Sequence, residues 1–192
     1  HIVERSKMGE EKELIFSIEI PEIKGSFRKL CKAVGQKNIT EFSYRADGTE
    51  SGKILLGVEL SGNAKVKKTF ISGMKQKKFN LVDLTNDEIS KVHLRYMTGG
   101  RAGKLPDNKI EEVFKVDFPE RPGALMDFLN LLQDKWNISL FHYKNQGSIY
   151  GGALVGFFLN KLEREKLKKD LLNTEFPFVR VTENKGYQAF LK

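Results

Sequence analysis

The stretch IFSIEIPEIKGSFRKLCKAVGQKNITEFSYR, residues 15–45, occurs again as VFKVDFPERPGALMDFLNLLQDKWNISLFHYK, residues 113–144, with one inserted residue before the last strand. The match continues at positions that lie 99 apart, namely Gly52 and Gly151, Leu55 and Leu154, and Gly57 and Gly156. A repeat of this length indicates two copies of one folded unit. We therefore expect two related sites, or one site at the junction of the copies.

Each copy predicts the same order of elements. A strand with alternating apolar residues runs into a turn with Pro and Gly, and a helix, a strand hairpin, a lysine-rich helix and a closing strand follow. We also predict a further short strand at 93–97 and at 187–191. The helical face, spaced i, i+3, i+4, i+7, is used twice: Phe27, Leu30, Cys31 and Val34, then Leu125, Phe128, Leu129 and Leu132.

This β-α-β-β-α-β order predicts an α+β fold with two tandem ferredoxin-like units, each an antiparallel sheet with its helices on one face. The predicted units span 13–97 and 111–192. A segment at 98–110, rich in Gly and turn-forming residues, is the expected linker between them. Residues 1–12 are expected to be an N-terminal linker, since the chain starts without Met and reads as part of something longer.

Composition limits the class of protein. With 40% hydrophobic residues the 192-residue chain is expected to be globular, and no run approaches the roughly 20 apolar residues of a membrane helix. The single cysteine, Cys31, lies on an apolar helix face, which favours a buried structural thiol and a reducing compartment.

The net charge of +8 is concentrated in the stretches 63–78 and 160–172. We interpret their lysines as solvated outer faces of two helices. The residues predicted to face the core are Val66, Phe70 and Met74, and Leu162, Leu167 and Leu171.

Four stretches together carry a family resemblance: FPERPGALMDFL (118–129), ITEFSYR (39–45), LTNDEISKVHLRYMTGGR (84–101) and WNISLFHYKNQGSIYG (136–151). In this order and spacing they resemble the tandem ACT-like regulatory region at the C-terminus of biosynthetic threonine deaminase (threonine dehydratase, threonine ammonia-lyase). The first copy departs from the pattern, because Ile23 and Lys24 stand where the second has Arg121 and Pro122.

The resemblance implies an allosteric region that senses isoleucine as feedback inhibitor and valine as its antagonist. In that family it regulates a pyridoxal-phosphate catalytic domain that converts threonine to 2-oxobutanoate and ammonia, and residues 1–12 would then lead from that domain. Pyridoxal phosphate needs a Schiff-base lysine and a phosphate-binding loop. We recognise neither in this sequence, and we expect no cofactor, metal or catalysis in the chain itself.

The implied partners are isoleucine, valine, the chain's own catalytic domain and other copies in a homo-oligomer. We expect no nucleic acid and no membrane as partner. The expected location is the cytoplasm, or the plastid stroma if the source is a plant.

The turn before the first helix of each copy is a candidate carboxylate site. Its backbone N–H groups lack helical partners, and glycine allows close approach of a ligand. The candidates are Gly25 and Ser26 in the first copy and Gly123 and Ala124 in the second. The competing interpretation is that the glycines only permit a tight turn.

The second strand of each copy carries matched aromatic residues followed by a cation. They are Phe42, Tyr44 and Arg45 in the first copy and Phe141, Tyr143 and Lys144 in the second. Aromatic residues two apart share a sheet face and are more often core than ligand wall. A buried hydroxyl needs a partner, and the family resemblance places effector contacts on this strand. We therefore predict effector contacts here, with Tyr44 and Tyr143 as the leading residues.

Two further predictions remain open. Arg95 and Arg101 are either solvated or lie at an interface between the repeats or with a catalytic domain. An alternative function is RNA binding, because RRM modules share this topology and YGGALVGFFL, residues 150–159, loosely resembles one of their motifs.

Overall fold

The computed structural model describes residues 12–93, 103, 105, 107–119, 121–132, 134–144 and 150–192. The first repeat contains β1 (Lys12–Pro21), α1 (Ser26–Val34), β2 (Asn38–Arg45), β3 (Ser51–Leu60), α2 (Ala64–Gln76), β4 (Asn80–Asp83) and α3 (Glu88–Val92). The second contains β5 (Ile110–Pro119), α4 (Ala124–Leu132), β6 (Asn137–Lys144), β7 (Tyr150–Leu159), a 3₁₀ turn (Lys161–Glu163), α5 (Arg164–Asn173), β8 (Phe178–Arg180) and α6 (Lys185–Phe190).

All the strands in the described residues belong to one sheet of eight, in the order β4-β1-β3-β2-β6-β7-β5-β8. Each repeat supplies four neighbouring strands, and the predicted α+β class with ferredoxin-like units is confirmed. The two halves join where β2 pairs antiparallel with β6, which places Phe42 opposite Tyr143 and Tyr44 opposite Phe141. The second strands of the two repeats are therefore the centre of the molecule.

One hydrophobic core continues across this seam. Phe27 of α1 lies with its ring centroid 5.4 Å from that of Phe42 in its own repeat and 6.1 Å from that of Phe141 in the other. The rings of Phe42 and Phe141 are fully buried and meet edge to face at 5.3 Å. Burying each such side chain stabilises a fold by about 1.5–3 kcal/mol. The repeats consequently share their core rather than each enclosing its own.

The predicted strand at 187–191 is wrong, because residues 187–190 lie in α6 and Leu191 is its C-cap. Asn184 caps that helix, its side chain accepting hydrogen bonds from the backbone N–H groups of Gly186 and Tyr187. An N-cap of this kind favours a helix over the weak alternation of the segment. In the first repeat, Asp87 caps α3 in the same way, and His93 follows that helix, while 94–97 lie outside the described residues.

The lysine-rich helices are present, but two of their predicted core residues are not buried. Val66 is 38% exposed in the first turn of α2, and Leu162 is 96% exposed. Leu162 lies in the 3₁₀ turn before α5, so it does not follow the helical face. The other four predicted core residues are buried, namely Phe70, Met74, Leu167 and Leu171.

Cys31 is buried in the shared core, as predicted. Its burial raises the pKa of the thiol to about 12, so the side chain acts as a small apolar group. Within the part of the chain that the structure describes, no helix has both the length and the apolar character needed to cross a bilayer.

Candidate functional site

Two clefts open at the seam, and each is built from both repeats. The first, here the Gly123 cleft, combines the β5–α4 turn with residues 31–39 at the end of α1 and the start of β2. The second, the Gly25 cleft, combines the β1–α1 turn with residues 129–138 at the end of α4 and the start of β6. They contain about 540 and 440 Å³, including space that opens to solvent.

The two predicted glycine turns line the clefts. Gly25 and Gly123 have φ of 86° and 84°, a left-handed conformation that glycine adopts without strain. Among the described residues, no side chain caps the N-terminus of α1. Ser26 and Ala124, the first residues of α1 and α4, line the two clefts. The first N–H groups of a helix have no helical partner and carry partial positive charge, which suits a carboxylate.

The two leading tyrosines line different clefts. Tyr143 lies in the Gly123 cleft beside Phe118, with 6.3 Å between ring centroids. Tyr44 lies in the Gly25 cleft against Phe27, at 4.6 Å. Each repeat therefore contributes its tyrosine to a different cleft.

The hydroxyl of Tyr44 is hydrogen-bonded to the carboxylate of Glu22. Burial raises the pKa of Tyr44 above its ordinary value, and the nearby carboxylates of Glu22 and Asp47 raise it further. Burial also raises the pKa of Glu22. Tyr44 is thus a neutral hydroxyl throughout the physiological pH range, a group able to donate and to accept hydrogen bonds.

Arg45 has a different place from the one predicted. It follows Tyr44, so its side chain lies on the opposite sheet face, and it does not line either cleft. There the buried guanidinium forms an ion pair with the buried carboxylate of Glu111 in the second repeat. Glu111 also accepts hydrogen bonds from the hydroxyls of Ser139, at 2.6 Å, and Tyr187, at 2.7 Å. This Arg45–Glu111 pair connects the repeats.

The remaining predicted residues fall in three groups. Phe141 lines the Gly123 cleft, whereas Phe42 belongs to the core beneath the seam and lines neither cleft. Lys144 ends β6 opposite Glu41 in the pairing register, and it is not a lining residue of either cleft. Arg95 and Arg101 lie outside the described residues.

A duplicated polar contact was missed by the sequence prediction. The hydroxyl of Thr40 donates to Glu13 at 2.7 Å, and the hydroxyl of Ser139 donates to Glu111 at 2.6 Å. Each pair packs against a glycine of the next strand, Gly57 or Gly156, where a Cβ atom would come within 2.5 or 2.7 Å of the hydroxyl oxygen. The spacing of 98 or 99 residues between the copies was the available signal.

The sequence prediction also missed the half of each cleft that the other repeat provides. Lys37 and Asn38 enter the Gly123 cleft, and Asp134 and Trp136 enter the Gly25 cleft. These residues gave no local signal, because their role depends on the pairing of β2 with β6.

The Gly123 cleft combines features that suit a small zwitterion with an apolar side chain. Lys37 and Arg121 supply positive charge, the turn supplies N–H groups, and Phe118, Phe141 and Tyr143 form an aromatic wall. Among the described residues, no three His, Cys, Asp or Glu side chains converge in a way that could hold a metal ion.

The position of the aromatic residues argues against the RNA-binding alternative. RRM modules stack bases on aromatic side chains of the open sheet face. In this protein the aromatic residues of β2 face the helices, since Phe42 and Tyr44 pack against Phe27 of α1.

Two ferredoxin-like units that share one sheet, with paired clefts at their seam, have an ACT-like fold. The sequence model of the C-terminal regulatory domain of threonine dehydratase matches residues 4–94 and 103–191. The chain belongs to this family.

Full-length relatives agree with this assignment. The chain is 40% identical over 190 residues to the biosynthetic L-threonine dehydratase of Burkholderia multivorans, covering 99% of the chain and 37% of the relative. It is 41% identical over 164 residues to that of Escherichia coli, covering 85% and 31%. It is 38% identical over 192 residues to that of Pasteurella multocida, covering 100% and 37%. The chain spans about a third of the length of these curated relatives.

Proposed function

We propose that this chain is the amino-acid-sensing part of a biosynthetic threonine dehydratase. Isoleucine binds as feedback inhibitor and valine as its antagonist, and together they control the conversion of threonine to 2-oxobutanoate and ammonia in isoleucine biosynthesis. The observation that carries this proposal is the pair of equivalent clefts at the seam, each with a glycine turn, a tyrosine and an apolar wall.

In the Gly123 cleft, the carboxylate of the ligand lies at the N–H groups of Gly123 and Ala124, near the positive charge of Arg121. The aliphatic side chain lies against Tyr143 and Phe141. The ammonium group needs an acceptor, and the side-chain carbonyl of Asn38 and the hydroxyl of Tyr143 are the acceptors that line this cleft. Gly25, Ser26 and Tyr44 have the corresponding roles in the other cleft.

Isoleucine and valine differ by one methylene, which a pocket distinguishes by only about 1–3 kcal/mol. Opposite effects therefore require ligands that favour different arrangements of the protein. Both clefts span the seam, so a ligand that fills one contacts both repeats at once. We propose that isoleucine tightens the arrangement of the repeats and that valine favours the alternative.

The remaining parts of this proposal concern the longer protein. Its catalytic part holds pyridoxal phosphate, it forms a homo-oligomer, and it resides in the cytoplasm or, in a plant, in the plastid stroma. We assign Arg95 and Arg101 to an interface between the repeats or with the catalytic part. We also keep Lys144, at the end of β6, as a proposed effector residue.

Calorimetric titration of isoleucine and valine into the chain tests the proposal. We expect binding of both, and a loss of affinity of about tenfold in Tyr143→Leu or Tyr44→Leu, because each change removes a hydroxyl worth about 1–3 kcal/mol to a buried partner. Phe190→Leu is the matched control, since this aromatic side chain is 75% exposed and lies in α6, outside both clefts. Absence of heat from the unmodified chain with either amino acid would contradict the proposal.

A further inference from the structure

Glu22 brings an unpaired carboxylate into the Gly25 cleft. It follows β1 and lines the cleft together with Tyr44. A second carboxylate of this cleft, that of Asp134, is paired with Arg28 at 2.9 Å. No ion pair in the described part of the chain includes Glu22. A carboxylate that is partly withdrawn from water and has no cation beside it is a candidate partner for a ligand cation.

Three neighbours hold Glu22 and Tyr44 side by side. The backbone N–H of Asp47 donates to Oε1 of Glu22 at 3.2 Å, and the hydroxyl of Tyr44 is hydrogen-bonded to the same carboxylate. Phe27 meets the ring of Tyr44 edge to face. Gly52 of β3 lies against both groups, because a Cβ atom there would collide with the ring of Tyr44 and lie 3.2 Å from Oε1 of Glu22. The two polar groups are therefore fixed together at the wall of the cleft.

The hydrogen bond between these groups leaves acceptors for a ligand. An ionised carboxylate only accepts hydrogen bonds, so the Tyr44 hydroxyl donates its hydrogen to Glu22 and presents its oxygen lone pairs. The carboxylate has about four lone-pair sites, more than Asp47 and Tyr44 use. An ammonium group has three donors and a positive charge, and it matches this pair of acceptors.

We propose that Glu22 selects the ammonium group of an amino acid in the Gly25 cleft, by its own charge and by orienting the hydroxyl of Tyr44. This inference rests on the proposed function and adds the residue that distinguishes an amino acid from an acid of the same shape without nitrogen. The turn at Gly25 receives the ligand carboxylate, so one segment of chain contacts both charged groups of the zwitterion. Hydrogen bonds to charged groups are about twice as strong as neutral ones.

The fluorescence of Trp136 follows this cleft, since it is the single tryptophan of the chain and lines the cleft. The probes are isoleucine and 2-hydroxy-3-methylpentanoate, in which a hydroxyl group replaces the ammonium group. In Glu22→Gln we expect the midpoint for isoleucine to rise about tenfold or more and that of the hydroxy acid to stay within about twofold, because only isoleucine loses a charged hydrogen bond. Glu19→Gln is the matched control, since this carboxylate is exposed on β1 and lines neither cleft; it should change neither midpoint.

Tyr44→Phe tests whether Glu22 acts through the hydroxyl. This substitution keeps the ring against Phe27 and removes the oxygen, and we expect it to raise the midpoint for isoleucine. Combined with Glu22→Gln, it should raise the midpoint by less than the product of the two single effects, because the two groups act as one unit. Effects that multiply in full would overturn the orienting role of Glu22.

The outcomes separate this inference from the proposed function. Equal changes for isoleucine and the hydroxy acid in Glu22→Gln overturn the role of Glu22 and leave the sensor function standing. Heat from isoleucine without a change in the fluorescence of Trp136 places the ligand outside this cleft and also overturns that role. No heat from isoleucine or valine overturns the proposed function and this inference with it.

Discussion

Replacing Arg45 by methionine tests whether the repeats depend on the Arg45–Glu111 pair. Both side chains are almost fully buried, with 2% and 4% exposure. The substitution leaves the carboxylate of Glu111 in the interior, where the described residues that still donate hydrogen bonds to it are Ser139 and Tyr187. Removing one partner of a buried ion pair lowers the free energy of unfolding by about 3–5 kcal/mol.

Two details of the structure place the expected loss near 3 kcal/mol, the lower end of that range. The hydroxyls of Ser139 and Tyr187 continue to solvate Glu111. Nε of Arg45 has no hydrogen-bond partner in the described structure, so part of the cost of burying the guanidinium is already uncompensated in the unmodified protein.

Urea unfolding with fluorescence and circular dichroism measures the effect. With a slope of about 1–3 kcal/mol per M urea, the midpoint should fall by about 1 M or more at an unchanged slope. The matched control is Arg28→Met, which removes an ion pair to Asp134 with both side chains about 40% exposed and should cost less than about 1 kcal/mol. Combining Arg45→Met with Glu111→Gln should recover part of the loss. Equal costs for the two arginines, or no recovery in the double variant, would refute the reasoning.

Three further predictions concern single residues. Gly123→Ala should lower the free energy of unfolding by about 1–2 kcal/mol, because alanine is strained at a φ of 84°. An unchanged midpoint of urea unfolding would contradict this. Burial alone would raise the pKa of Glu112, but Arg180 and Arg164 hold that pKa below its ordinary value. The ionised carboxylate therefore stabilises the fold above about pH 4.5, and this stabilisation is lost as the pH falls through the lowered folded pKa. A stability difference between the unmodified protein and Glu112→Gln that stayed constant from pH 7 to pH 3 would argue against this. Burial and a pKa of about 12 for Cys31 should prevent thiol labelling at pH 8 until the protein unfolds, and fast labelling of the native state would disprove it.

The parts of the fold that depend on local pattern were predictable. Alternation of apolar residues identified the first strands, and the i, i+3, i+4, i+7 face identified α1 and α4, because side-chain direction follows the period of each element. The α6 helix was missed because its N-cap, Asn184, is a stronger signal than the short apolar pattern used to predict a strand.

The junction of the repeats was not predictable in the same way. Pairing of β2 with β6 joins strands about a hundred residues apart, and neither strand's own sequence specifies that partner. Tyr44 and Tyr143 were identified from their matched positions, but Lys37 and Asp134 were not, since each acts in a cleft whose turn belongs to the other repeat. The sequence predicts an effector contact for Arg45 and not its ion pair, because the buried partner, Glu111, lies in the other repeat.

A crystal structure of the chain with isoleucine is the most direct test of the central claim, that the seam clefts bind the amino acid. We expect isoleucine in the Gly123 cleft, with its carboxylate at the N–H groups of Gly123 and Ala124 and its side chain against Tyr143. Isoleucine bound elsewhere, with both clefts empty at a concentration that saturates binding in solution, would contradict it.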